Sequence, residues 1–123
     1  MKGFIHDISQ KARRNNYFRQ VLETGEHTQI VVMSIAPSGE IGEEVHAEND
    51  QVLYFVEGKG KAVLAGEEIN FGKDDVILVK AGTRHNFVNT GKTDLQIITA
   101  YSPPHHPEGT IHKTKEEADK AGY

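Results

Sequence analysis

Turn signals recur every few residues along this chain, and their spacing limits the fold more than any other feature. TGE, PSGEIG, EGKG, AGEE, GKDD, KAGT and NTGKTD separate short apolar runs that read as strands at 17–22, 27–35, 52–57, 61–64, 69–71, 76–79, 84–88 and 95–101. Gly, Asp and Asn in such breaks supply the positive φ that tight turns demand. No long helical period lies between the runs, so they predict an antiparallel sandwich or barrel rather than βαβ units. The main helix signal is C-terminal: Thr114 as N-cap, Glu116 and Glu117 in the first turn, Gly122 past the end. Nearer the start, a short strand is expected at Phe4 and Ile5 and a weak helical turn over 9–13. The segment SPPHHPEGT (102–110) is the linker candidate, because its prolines force extended backbone and interrupt sheet pairing. The chain therefore reads as one domain over 1–123, with a barrel core over 17–101 and a tail over 102–123.

Composition narrows the function. A chain of 123 residues can bury one adequate core. No apolar run approaches the length that spans a bilayer, and MKGFIHDISQKARR lacks a signal-peptide core, so no membrane is expected and the cytoplasm is the default location. Cysteine is absent, which excludes disulfides and thiolate zinc sites. With 14 Lys+Arg against 18 Asp+Glu, the net charge of −4 argues against a nucleic-acid partner. The basic run from Lys11 to Arg14 reads as a solvated face. Seven histidines remain, and any metal site would have to combine them with carboxylates.

Strand parity places the side chains. Alternate residues of an extended segment face the same way, so Glu44, His46 and, if the strand continues, Glu48 share a face. Gln51, Leu53 and Phe55 share another, and His85, Phe87 and Asn89 a third. A closed barrel brings such faces together over an apolar floor. Val52, Tyr54 and Val56 on the opposite face are not polar, nor are Val31, Met33 and Ile35. Strands apolar on both sides need outer cover. A second sheet, the N-terminal segment or another copy of the chain could provide it, and a homodimer is expected.

These residues carry a family resemblance. The chain resembles the cupin superfamily, in particular its small single-domain members built on an antiparallel double-stranded β-helix, the jelly-roll barrel. Anchored on Gly58, the first cupin motif puts Gln51 at its Glu position and Glu44 and His46 at its His-x-His pair; the opening glycine, Gly39, is one place out of register. The second motif matches at Gly82, His85 and Asn89, with Asp74 at its first Gly position and Lys80 at its Pro position. The resemblance covers roughly residues 28–101.

The resemblance implies an all-β fold and a divalent first-row metal (Mn, Fe, Ni or Zn) held by Glu44, His46, Gln51 and His85. Two imidazoles and one carboxylate suit such an ion and leave positions open. Gln51 acts either as a neutral oxygen donor, weaker than Glu, or as a buried amide bonded to backbone or water. Glu44 is a ligand, a general base or simply a solvated loop carboxylate after the IGE turn, and Glu48 is a second candidate for the ligand or base role. Neutral imidazole is required, so occupancy should fall below about pH 6.5. Phe55 and Phe87 are pocket wall or plain core. Tyr101 is expected to line the pocket. In the tail, His106 of the His105–His106 pair is a substrate-binding candidate, and the segment either leans over the barrel mouth or lies exposed. The first functional reading is a metal-dependent enzyme on a small polar metabolite, of the sugar isomerase or epimerase type or the dioxygenase type. A non-catalytic binding module comes second and a metal-free scaffold last.

Overall fold

A computed structural model describes residues 3–122, and it forms an antiparallel jelly-roll barrel of two facing sheets. The elements in order are α1 (Ile8–Arg14), β1 (Arg19–Thr24), β2 (Gln29–Ile35), β3 (Asp50–Glu57), β4 (Gly60–Leu64), β5 (Glu67–Phe71), β6 (Val76–Val79), β7 (His85–Asn89), β8 (Leu95–Ser102), β9 (Ile111–His112) and α2 (Lys115–Ala121). The large sheet runs β6-β3-β8-β2-β1-β9 and the small one β5-β4-β7.

The pleat sorts each strand as the sequence pattern implies. Gln51, Leu53 and Phe55 on β3, His85, Phe87 and Asn89 on β7, and Leu95, Ile97, Thr99 and Tyr101 on β8 are all buried. Near the barrel centre the Phe55 and Phe71 rings stack at 3.9 Å between centroids, and Phe87 meets Phe55 at 6.0 Å. Each such ring removes enough apolar surface from water to contribute roughly 1.5–3 kcal/mol. One end is closed by Asn89, whose side-chain amide donates to the carbonyls of Ile35 and Thr93 at 2.8 and 2.9 Å.

The segment before β3 does not coil away. It runs beside β7, with the Asn89 amide donating to the Gly39 carbonyl, Ile41 N–H to the Phe87 carbonyl, and Glu44 and His85 exchanging both backbone bonds at 2.9 Å. It then turns at residues 47–48 before β3 begins. That turn decides which carboxylate can reach the interior.

Outer cover comes from α1 on one part of the large sheet. Ala12 packs with Val32 and Val56 beside Ile8, Leu22, Tyr54 and Ile98. Val31, Met33 and Ile35 face the interior instead, so their apolar character is core packing and makes no demand on a partner. Beyond the reach of α1, Val52, Val76 and Leu78 stay exposed at 40%, 61% and 53%.

The N-terminal strand expected at Phe4 and Ile5 is absent: that stretch is irregular and Phe4 is exposed. Residues 102–110 are not a loose linker. Gln29, fully buried on β2, accepts the amides of His105 and His106 and donates to the His106 carbonyl, and Asn49 donates to the Pro103 carbonyl. Downstream, β9 pairs with β1. Thr114 caps α2 by accepting from the Glu117 amide at 3.1 Å, and Gly122 ends it in the left-handed region, as the sequence implies.

Candidate metal centre

Three elements converge at one point between the sheets. The bridge to His85 puts Glu44 directly opposite it, where the side chains of an antiparallel pair lie on one face. His46, two residues on, shares that face, and its carbonyl accepts the Gly82 amide at 2.9 Å, which anchors the segment to the loop before β7. One ligating atom from each of Glu44, His46 and His85 lies within 4.8 Å of the others. The His46 and His85 rings stand 5.1 Å apart, and His46 Nε2 is 3.8 Å from a Glu44 carboxylate oxygen, too long for a hydrogen bond.

Hydrogen bonds behind these groups set which atoms face inward. His85 Nδ1 is 2.8 Å from the Thr83 carbonyl. A carbonyl only accepts, so Nδ1 carries the proton and Nε2 presents its lone pair. Such a bond to the far nitrogen orients a metal-ligating imidazole. Gln51 is fixed in the same way. The Thr99 hydroxyl donates to the Val52 carbonyl at 2.8 Å, so toward Gln51 it can only accept, and the Gln51 amide nitrogen takes that place at 3.1 Å. The Gln51 carbonyl oxygen is left buried without a hydrogen-bond partner, as are Nε2 of His46 and of His85. Unpartnered buried acceptors each cost about 1–3 kcal/mol. Two bare imidazole lone pairs, a bare amide oxygen and a carboxylate are what a divalent cation satisfies, so the donor set fits a metal.

Electrostatics agree with that geometry. Burial holds the imidazole of His46 down to a pKa of about 4, with further lowering by His105, His85 and Arg19, so the ring is neutral and able to ligate at ordinary pH. Burial raises the Glu44 carboxyl while Arg19, His85 and Lys115 oppose the shift.

Glu44 and His46 form part of the wall of a cavity of about 360 Å³, together with Arg19, His105, Phe18, Ile41 and residues of α2. His85 does not line this cavity and is buried at 2% exposure. The remaining sequence candidates fall elsewhere. Glu48 sits exposed in the turn at 47–48, because the extended run ends at His46 and the parity that would have aimed it inward is lost. Phe55 and Phe87 are core, fully buried among other rings, and do not line the cavity. Tyr101 and His106 pack behind it, with ring centroids 5.0 Å apart. Burial pushes the Tyr101 hydroxyl up to about 12, which keeps it a neutral donor and acceptor.

Two wall residues escape the sequence reading. His105, rather than His106, is the tail residue that reaches the cavity, its ring 4.3 Å from that of His46 and stacked on Tyr101. Arg19 is the other, a guanidinium 3% exposed at the start of β1. Its signal was legible: it shares an inward parity with Val21, where a charged residue is out of place.

Comparison with known proteins places the arrangement. The cupin domain model matches residues 31–101, which run from within β2 through most of β8 and contain all four inward donors. The chain is 41% identical to YrkC of Bacillus subtilis over 95% of its own length, and it spans 66% of that protein. The crystal structure of BH2720 from Bacillus halodurans superimposes with a TM-score of 0.95 at 38% identity, covering 97% of this chain and 95% of that one. A predicted oxalate decarboxylase from Thermotoga maritima shares the fold at 23% identity, with a TM-score of 0.61 over 64% of this chain and 69% of the other. With more than half of its length matched by that model, the chain belongs to the cupin family.

Proposed function

We propose that this cupin binds a divalent transition metal through His46, His85 and Glu44, with Gln51 as a weak fourth donor, and acts as a metal-dependent enzyme on a small polar metabolite in the cytoplasm. The observation that carries the reading is the pair of buried imidazole nitrogens, both without a hydrogen-bond partner, within 4.8 Å of a carboxylate at a cavity. Mn, Fe, Ni and Zn all suit two imidazoles and a carboxylate. Such an ion supplies Lewis acidity toward substrate oxygens, or redox chemistry if iron or manganese is bound. The chain's own groups do the rest. Neutral His105 stands at the cavity wall within reach of a bound molecule, and Glu44, its carboxyl raised by burial, is placed to take up a proton if it leaves the ligand set. The family resemblance favours isomerase or epimerase chemistry, or dioxygenase chemistry. The substitution of a neutral Gln51 for a carboxylate favours a second reading, in which the barrel binds its ligand without turnover.

Elemental analysis of tag-free protein tests the metal. Wild type loaded with Mn, Fe, Ni or Zn is expected to retain about one ion per chain, and the His46→Ala/His85→Ala variant none; equal contents in the two refute the site. Incubation of the loaded protein with a metabolite pool then separates the readings. Turnover that disappears in His46→Ala supports the enzyme, whereas a compound that raises the melting temperature and is recovered unchanged supports the binder. The exposed Val52, Val76 and Leu78 favour a homodimer, and light scattering should give twice 13.7 kDa at micromolar concentration. A mass of 13.7 kDa would reject the dimer.

A further inference from the structure

We infer that the barrel carries a second ligand site on its outer surface, a groove beneath the N-terminal segment that takes an aliphatic carboxylate of medium chain length. The inference is independent of the metal reading. Strand β1 separates the two sites: Arg19 and Val21 turn inward, while Gln20 and Leu22 line the groove. A β-bulge between Val21 and Glu23 brings Glu23 to the groove as well, so two successive residues face it. The groove holds about 690 Å³, inside the usual range of small-molecule sites.

Its apolar and its charged side chains come from different walls. Phe4 and Ile5 of the N-terminal segment face Leu22 and Val32 of the sheet, and Phe4 keeps 60% of its surface exposed there. Val32 and Leu22 belong to the cluster beneath α1, so this apolar floor is continuous with packed core. The cations come from α1. Arg13 is engaged by the protein, pairing with Glu57 at 3.2 Å and donating to Ser9 Oγ at 3.2 Å. Lys11 and Arg14, three residues apart and so on one side of the helix, line the groove instead, and their side chains make no hydrogen bond or ion pair among the described residues. The helix dipole accounts for basic residues near this end of a helix, but not for the side they take.

Charge and apolar surface together select the ligand class. Among the described residues of the wall the one acid is Glu23, and it accepts the Gly3 amide at 3.4 Å. The wall is therefore net positive on a chain whose net charge is −4. A molecule that meets both walls needs an apolar body and an anionic head. A fatty acid has that form, with its chain over Phe4 and Leu22 and its carboxylate toward Lys11 and Arg14. The groove lies over β1 and β2, and α1 and β8 stand between it and the exposed Val52, Val76 and Leu78 on β3 and β6. A dimer formed through those three residues leaves the groove open.

Calorimetric titration of octanoate, octanamide and acetate into chelator-treated protein tests this, because no metal is then present to take a carboxylate. Octanoate is expected to bind about threefold to tenfold tighter than the neutral octanamide, and at least about a hundredfold tighter than acetate. Lys11→Gln/Arg14→Gln, at two exposed positions, is expected to remove the preference for octanoate and to leave octanamide affinity unchanged. Phe4→Ser is expected to weaken octanoate and octanamide alike. Equal affinities of wild type for octanoate and octanamide overturn the inference, as does a lack of octanoate binding at millimolar concentration; neither result depends on a variant that folds. A double variant that keeps the wild-type preference overturns it as well. Cosedimentation with phosphatidylglycerol vesicles in the absence of octanoate binding would make this face a membrane surface and overturn the site. Failure of the protein to take up metal would refute the reading above and leave this one standing.

Discussion

Replacing Gln29 by Leu should release the tail from the barrel, and the structure gives the size of the effect. Gln29 is fully buried and makes four hydrogen bonds. Its amide nitrogen donates to Thr24 Oγ1 at 3.0 Å and to the His106 carbonyl at 2.7 Å, and its oxygen accepts the His105 and His106 amides at 3.2 and 3.0 Å. Leu has similar volume and no polar atom, so the core stays filled while the tail's backbone loses three partners. His106 is itself buried, and its amide and carbonyl would each cost about 1–3 kcal/mol if they stayed docked and unpaired. The tail can escape that cost only by lifting into water, which gives up the packing of His105 and His106 on Tyr101. The expected loss is therefore about 2–3 kcal/mol in urea denaturation, or on the order of 10 °C in melting temperature. Hydrogen exchange separates local from global effects. The His105 and His106 amides should lose protection at least about tenfold beyond the change at Ile97 and Thr99 on β8. A stability change under about 0.5 kcal/mol, with those two amides still protected, would show that packing alone holds the tail and that Gln29 does not position His105.

Three further outcomes are expected. Gln51→Glu should raise metal affinity about tenfold or more by adding a charge, and should destabilise the metal-free protein, because the Thr99 hydroxyl is committed to the Val52 carbonyl and cannot donate to a new carboxylate; unchanged affinity in a metal-competition titration would place Gln51 outside the coordination sphere. In chelator-treated protein, the unfolded chain takes up a proton on His46 near pH 6.5 that the folded chain refuses until about pH 4, so stability should fall as pH drops through that interval. The gap corresponds to roughly 3 kcal/mol, and His46→Gln should flatten the profile measured by urea midpoints at pH 7.5 and 5; an equally steep profile in the variant contradicts the assignment. Gly60→Ala should cost about 1–3 kcal/mol, since a Cβ there collides with the Val88 carbonyl and the Phe71 ring, while Gly72→Ala meets nothing and should stay within about 0.5 kcal/mol. Equal midpoints for the two variants would refute the packing argument.

Much of the barrel was readable without coordinates. Apolar runs and turn chemistry are local properties, and β6 falls where the sequence put it while most of the other strands shift by only a few residues. Parity was equally local and aimed Glu44, His46, Gln51 and His85 inward. It failed at Glu48 because parity holds only while the chain stays extended, and the turn at 47–48 is set by how the segment leaves β7. It also could not tell core from cavity: Phe55 and Phe87 share faces with site residues but sit deeper in the barrel.

Sequence alone therefore determined the fold class, the family and the inward placement of His46 and His85, because each depends on residue type and on spacing along one strand or turn. Tertiary structure decided what the site has to work with. It chose His105 over His106 at the wall, brought β9 and Tyr101 together around Arg19, and left the Gln51 oxygen without a partner by committing Thr99 elsewhere. Those are contacts between segments up to 93 residues apart, and no local pattern encodes which side chains meet across a closed barrel.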